Sequence, residues 1–252
     1  MIKKRLRLIF MFGLALLLVS ALLPLSIAAA AEKAANNDVM RPLIFVHGFM
    51  GSGMQFESQA MRFASNGYPA DLIDAFEYDT IDLAYGSEDL DKVLTALDDK
   101  IDAVLVETGA DKLYIAAHSM GTMVMHNYLS TPARAARVAK YVNIDGQTGE
   151  ALPGGVPTLA IWAGTGEPGR TIVGATNVTI PDQTHVQVCT SSETFVEMYK
   201  FLVEKEPATD QVLPEAGGKA ELAGRTVYFP QNTGVQDATL EIWEVDGATG
   251  FR

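Results

Sequence analysis

Leu113-Tyr114-Ile115-Ala116-Ala117-His118-Ser119-Met120-Gly121-Thr122 runs from a continuous apolar stretch, through a serine between small residues, into a helix pattern that lasts to Ser130. An unbroken apolar run of this length suits a strand covered on both faces, as in a parallel sheet. A strand can turn sharply into a helix only where the two pass closely, so the positions two before and two after the corner must be small. Ala117 and Gly121 meet that need around Ser119.

Working outward, the same alternation repeats. Leu43 to Val46 reads as a buried strand ending in the loop His47-Gly48-Phe49-Met50-Gly51-Ser52-Gly53. A helix pattern through Phe56, Ala60, Met61 and Phe63 ends near Asn66-Gly67, and Asp74 to Tyr78 is a short extended piece. Leu90, Val93, Leu94, Leu97, Ile101, Val104 and Leu105 recur at three- and four-residue steps, which makes Leu90 to Glu107 an amphipathic helix. Val138 to Ile144, Val156 to Trp162 and Ala175 to Ile180 extend the strand series. Ser191 to Lys205 closes it as a helix, with capping-box spacing between Thr190 and Glu193. Strands alternating with helices over about 165 residues predict an α/β fold with a mostly parallel sheet covered by helices on both faces.

Both ends differ in character. Lys3, Lys4, Arg5 and Arg7 precede an apolar run from Leu8 to Leu23 and then Ala28 to Ala31. That order predicts a secretory signal over residues 1–31 and a secreted or periplasmic protein, with an uncleaved anchor as the alternative. Cleavage there leaves 15 basic residues against 31 acidic ones, deepening the net charge from −12 to −16. An acidic protein argues against nucleic acid as a partner and against strong attraction to anionic membranes. The main domain then spans residues 32–206. Residues 207–218 carry the Pro, Gly and polar content of a linker, and residues 219–252 hold two alternating stretches, Arg225 to Phe229 and Thr239 to Val245, around a turn-like Pro230 to Gly234. Two strands alone are marginal in water, so this segment must dock, pair with another chain or open a longer β-rich domain.

Ser119 at such a corner is a candidate nucleophile, and a serine hydroxyl needs a base to take its proton. There are four histidines. His118 adjoins Ser119 in a strand, where side chains alternate, so its ring points away. His126 lies two turns along the following helix, and His47 is placed to shape its own loop. His185, in Pro181-Asp182-Gln183-Thr184-His185, follows the serine and any acid in the chain order nucleophile, acid, base. Two carboxylates at strand ends, Asp145 and Glu167, could orient it, and spacing alone does not choose between them. Met120, after the nucleophile, and Phe49, in the loop after the first strand, are placed to offer backbone N–H groups to a developing oxyanion. The loop Gly48 to Gly53 lacks the Lys and Ser or Thr of a phosphate cradle, since Met54-Gln55-Phe56 follows. His185 with the lone Cys189 lacks further ligands for zinc. The chemistry therefore calls for no metal or cofactor, and the single cysteine means that no internal disulfide supports the fold.

Taken together, Phe45-Val46-His47-Gly48, Gln55-Phe56-Glu57-Ser58-Gln59, Met61-Arg62-Phe63-Ala64, Phe76-Glu77-Tyr78-Asp79-Thr80, His118-Ser119-Met120-Gly121-Thr122, Asp145-Gly146, Thr184-His185-Val186-Gln187 and Cys189-Thr190-Ser191 resemble the α/β-hydrolase lipases and carboxylesterases. The resemblance is to those similar to a thermostable archaeal lipase with a C-terminal lipid-binding β-sandwich domain. It implies Ser119 as nucleophile, Asp145 as acid, His185 as base, and Phe49 with Met120 as the oxyanion donors. It also implies an ester or lipid substrate with an apolar acyl chain, transient contact with lipid surfaces, and no cofactor. Oligomeric state is left open. An acyltransferase on the same triad, or a non-catalytic lipid-binding module, are the competing functions. Two departures stand out. Only Ile81 to Asp89 occupies the place of the family's long lid insertion, which favours short-to-medium acyl chains. The end of the chain, with Val227 to Asn232 and Leu240 to Trp243, matches only the opening strands of the family's β domain, as in a fragment of a longer protein.

Overall fold

The computed structural model describes residues 40–86, 89–214, 224 and 226–250. The expected signal segment lies outside the described residues, among which no helix is long and apolar enough to cross a membrane.

Six strands form one parallel sheet: β1 (Leu43–Val46), β2 (Ile73–Phe76), β3 (Leu113–His118), β4 (Val138–Ile144), β5 (Thr158–Ala163) and β6 (Thr176–Ile180). Their spatial order is β2-β1-β3-β4-β5-β6, each pair parallel. Parallel neighbours need crossovers, and helices lie in several of them: α1 (Glu57–Ser65), α2 (Thr80–Tyr85), α3 (Leu90–Thr108), α4 (Met120–Leu129) and the single turn α5 (Pro132–Ala135), while α6 (Gln187–Thr190) and α7 (Ser192–Val203) follow β6. This is the α/β-hydrolase architecture that the sequence predicts.

The apolar runs of β1, β3 and β4 are continuous because side chains alternate into two separate cores. Leu43, Phe45, Tyr114, Ala116, Val142 and Ile144 join Phe63 of α1 and Phe195, Met198 and Leu202 of α7 on one face. Ile44, Val46, Ile115, Ala117 and Tyr141 join Leu97, Ile101 and Val104 of α3 and Val124 and Tyr128 of α4 on the other. Each fully buried Leu or Ile of this kind contributes about 2 kcal/mol through removal from water. Asp98 of α3 fastens that second layer, accepting from Arg134, Arg137 and the Tyr128 hydroxyl.

Local differences from the expected boundaries have physical causes. The cap of α7 is Ser191, whose side chain accepts from Thr194 N, because Thr190 is already the last residue of α6. Residues 207–213 do not run free. Arg62 and Asn66 donate to the Asp210 and Thr209 carbonyls, and Leu213 N donates to Ser65 Oγ, so this stretch is strapped along α1. In the C-terminal segment Val227–Tyr228 (β7) pairs antiparallel with Thr233–Gly234 (β8), residues that the sequence assigns to a turn. Thr239 to Val245, expected as a strand, joins no sheet among the described residues, with Leu240, Ile242, Trp243 and Val245 all exposed. Alternation supplies one face of a strand but not the neighbouring strand that would complete it.

Candidate active site

In a parallel sheet all carboxyl ends lie along one edge, so loops far apart in sequence meet there. This edge gathers Gly48–Gly51 after β1, Ser119 after β3, Asp145 after β4, Arg170 after β5 and His185 after β6.

Ser119 sits at φ 55°, ψ −122°, a conformation rare for any side-chain-bearing residue. It projects the hydroxyl away from both strand and helix, and its N–H stays bonded to Ile144 O at 3.0 Å. The helix returns so closely that a Cβ on Gly121 would stand 2.6 Å from the Val46 and His47 carbonyls. On the other side a Cβ on Gly48 would stand 2.9 Å from Ser119 Cβ. Hence the requirement for small residues around this corner.

The Ser119 hydroxyl lies 2.9 Å from His185 Nε2, and His185 Nδ1 lies 2.5 Å from Asp145 Oδ2. Asp145 is buried and is held on its other oxygen by Ala163 N at 2.9 Å and by the Arg170 guanidinium at 2.7 Å. Burial works to raise its carboxyl, but the hydrogen bonds from His185 and Ala163 and the charge of Arg170 outweigh it and hold it below the usual range. An ionised Asp145 only accepts, so His185 carries its proton on Nδ1 and leaves Nε2 bare to accept from Ser119. Arg170 is itself fixed, stacking over Trp162 at 4.6 Å and donating to Gly146 O. Glu167, the other carboxylate left open by spacing, is exposed on the same loop.

The remaining histidines have structural places. His118 points away from the hydroxyl, yet its Nε2 donates to the His185 carbonyl at 2.9 Å and its Nδ1 accepts from Gln55 Nε2 at 2.6 Å. Burial, reinforced by nearby His185, pushes its pKa down to about 4, so this buttress is neutral near pH 7. Gln55 also donates to Cys189 Sγ, whose thiol burial pushes up to about 12, too high to supply a thiolate nucleophile. His47 is buried, stacks on Tyr78 at 4.6 Å, and donates from Nδ1 to Gly48 O. His126 packs edge-on against Tyr141.

Beside Ser119 the turn closed by Gly51 N on Gly48 O carries Phe49 and Met50. Met50 N donates to Thr80 Oγ1 at 2.9 Å, and Gly53 N to Glu77 Oε1 at 2.9 Å, so the loop is tied at both ends. Met120 is the first residue of α4, where a backbone N–H has no partner within its own helix. Ser119, His118 and His185 line a cavity of about 360 Å³ whose rim is Phe49, Met50, Val186 and Phe229. All four rim side chains are exposed and apolar. A larger cavity of about 620 Å³ lies at the opposite end of the sheet, among Lys112, Pro132, Val138 and Pro157; its hydroxyl, on Ser130, donates to Asn127 O.

Residues 40–144 match the family model of the class 2 lipases, and residues 218–252 match that of the lipase C-terminal domain. These two matches support an α/β-hydrolase chain of the lipase and carboxylesterase kind. It is accordingly an ester hydrolase, and the substrate class is esters or lipids. Similar solved structures include lipase B of Aspergillus fumigatus, at 14% identity and TM-score 0.49, covering 68% of this chain and 54% of that one. A thermophilic esterase from Thermogutta terrifontis, in a malate-bound structure, is 12% identical at TM-score 0.48, covering 65% and 90%. A hydrolase from Thermoplasma acidophilum described as predicted and CIB-like is 18% identical at TM-score 0.46, covering 66% and 88%.

Sequence reasoning did not reach Arg170, the buttressing role of His118, or Thr80. Arg170 stands in a glycine-rich loop with no periodic signal, and the other two act through partners 67 and 30 residues away.

Proposed function

We propose that this lipase-family chain hydrolyses carboxylic esters of short-to-medium apolar acyl chains through an acyl-enzyme on Ser119. Ser119 Oγ attacks the ester carbonyl carbon while His185 Nε2 takes its proton. The carbonyl electron pair moves onto oxygen, which the N–H groups of Phe49 and Met120 receive. Collapse of the tetrahedral species breaks the bond to the alkoxy group, and His185 returns the proton to the departing alcohol. Water, deprotonated by His185, then attacks the acyl carbonyl and frees the acid and Ser119. Asp145 keeps the imidazole in the required tautomer and offsets its positive charge, with Arg170 holding Asp145.

The observation that carries the reading is the continuous relay Ser119–His185–Asp145 opening into a cavity rimmed by apolar side chains. An apolar rim takes up the acyl chain and a small volume limits its length. The stretch between Tyr78 and α3, with α2 as its one short helix, leaves little chain for a large cover, which also favours small esters over emulsions. Export across a membrane is part of the proposal, resting on the basic, apolar and small-residue order of residues 1–31.

Hydrolysis of p-nitrophenyl esters of increasing acyl length tests activity and chain preference together. Ser119→Ala is expected to lower kcat by about 10⁴-fold or more, and a fluorophosphonate is expected to label Ser119 alone. Wild-type turnover in Ser119→Ala, or labelling elsewhere, overturns the nucleophile.

A further inference from the structure

The matches to the two family models meet at one buried amide. Asn232, in the C-terminal segment, is only 5% exposed although Gln231 and Thr233 on either side are exposed. Its side chain enters the main domain behind the turn that carries Phe49. Nδ2 donates to Gly51 O at 2.8 Å and to Tyr78 O at 3.3 Å, and lies 3.4 Å from His47 Nε2. Carbonyls only accept, so the NH₂ group must face them, which fixes the orientation of the amide. The tail is shaped for this insertion: Asn232 has φ 55°, a conformation asparagine tolerates, and its N–H donates to Tyr228 O at 2.6 Å. Phe229, on the same tight turn, reaches the wall of the Ser119 cavity.

The carbonyl gripped by Asn232 belongs to the residue whose N–H closes the Gly48–Gly51 turn. That turn holds Phe49, and Met50 N is already engaged by Thr80. The orientation of the Phe49 peptide is therefore set from below, through Gly51, by a residue 181 positions beyond that glycine in sequence.

We propose that Asn232 is a positioning residue for ester hydrolysis, by which the C-terminal segment holds the Phe49 N–H where the oxyanion forms. The inference rests on the reading that Phe49 and Met120 receive the oxyanion. A donor displaced by a fraction of an ångström still permits substrate binding but stabilises the tetrahedral species less, so kcat suffers and KM does not.

The test uses the full chain with Asn232→Gly, which accepts the left-handed backbone without strain, and Asn232→Asp, which keeps the shape but turns acceptors toward two carbonyls. Gln231→Ala is the neighbouring control. Both Asn232 variants are expected to lower kcat on p-nitrophenyl butyrate about 10- to 100-fold with KM within about twofold. The inhibition constant of an alkyl trifluoromethyl ketone, whose adduct on Ser119 carries an oxyanion, should rise in parallel. Gln231→Ala should match the wild type in all three. Wild-type kcat and inhibitor affinity in Asn232→Gly overturn the proposal, as does a rise in KM alone. Failure of both variants to fold also overturns it, because the contact would then be one the fold requires. If Ser119→Ala hydrolyses the same ester as fast as wild type, the nucleophile reading fails instead, independently of what Asn232 does.

Discussion

The two flanks of Ser119 are built in opposite ways. On the acid flank Asp145 is buried between β4 and β5, and its carboxylate is bonded by His185, Ala163 N and Arg170. Every partner comes from the sheet ends or the loops directly after them. On the oxyanion flank the Gly48–Gly53 loop has exposed residues and is held by side chains lent from elsewhere: Thr80, Glu77, Gln55 and Asn232. On the proposed mechanism, a charge that must persist through the cycle is held in low dielectric by several donors at once. A pair of N–H groups needs only the right direction, and separate tethers can supply that. Loss on the acid flank should be all-or-none, whereas loss on the oxyanion flank should be graded.

The sharpest break of that contrast is Asp145→Asn, expected to cost about 10⁴-fold in kcat by stabilising the wrong tautomer of His185. Glu167→Gln should leave kcat within about twofold. The reverse pattern in steady-state rates would move the acid to Glu167 and dissolve the distinction.

Next in size is a dependence of stability on pH at His118, the histidine behind the base. The folded pKa of His118 is about 4 against 6.5 unfolded, so the unfolded chain binds the proton first as pH falls. The stabilising contribution of neutral His118 is thus complete above pH 6.5 and lost progressively down to about pH 4, for a total of about 3 kcal/mol. Asp145, lowered from 3.8, contributes in a separate window, present above pH 3.8 and lost below it. Urea unfolding at pH 7, 5.5 and 4 should show the gap between wild type and His118→Gln closing over the upper window. Parallel curves would mean that His118 is not a buried neutral buttress.

A smaller effect is expected from Thr80→Val, which keeps shape and removes the acceptor of Met50 N. One of several tethers is lost, so kcat should fall about tenfold, equivalent to about 1.4 kcal/mol. A loss as large as that of Asp145→Asn would show that the oxyanion flank is as indivisible as the acid flank.

The sheet was legible in the chain because its strands carry a strong local signal: the apolar runs at Leu43–Val46 and Leu113–Ala117 admit burial on both faces and little else. The corner at Ser119 was legible because close approach demands Ala117 and Gly121. His185 followed by elimination among four histidines, but Asp145 over Glu167 needed the family resemblance, since both stand after strands and only the fold reveals which reaches the imidazole. Arg170, His118, Thr80 and Asn232 act through carbonyls, N–H groups and carboxylates brought near by folding, and such partners leave no periodicity. The Thr239–Val245 alternation misled for the converse reason: a strand pattern is fulfilled only when another strand lies beside it, and none does among the described residues.

The backbone at Ser119 has one more consequence. A side-chain-bearing residue at φ 55°, ψ −122° costs about 1–3 kcal/mol relative to a relaxed corner. Ser119→Gly should therefore be more stable to urea than Ser119→Ala, by about 1 kcal/mol, with neither expected to turn over ester. Stability and chemistry thus pull this position in opposite directions, and a descendant released from the need to cleave esters would be expected to relax here first. On the proposed mechanism, serine at residue 119 answers to the reaction rather than to the fold.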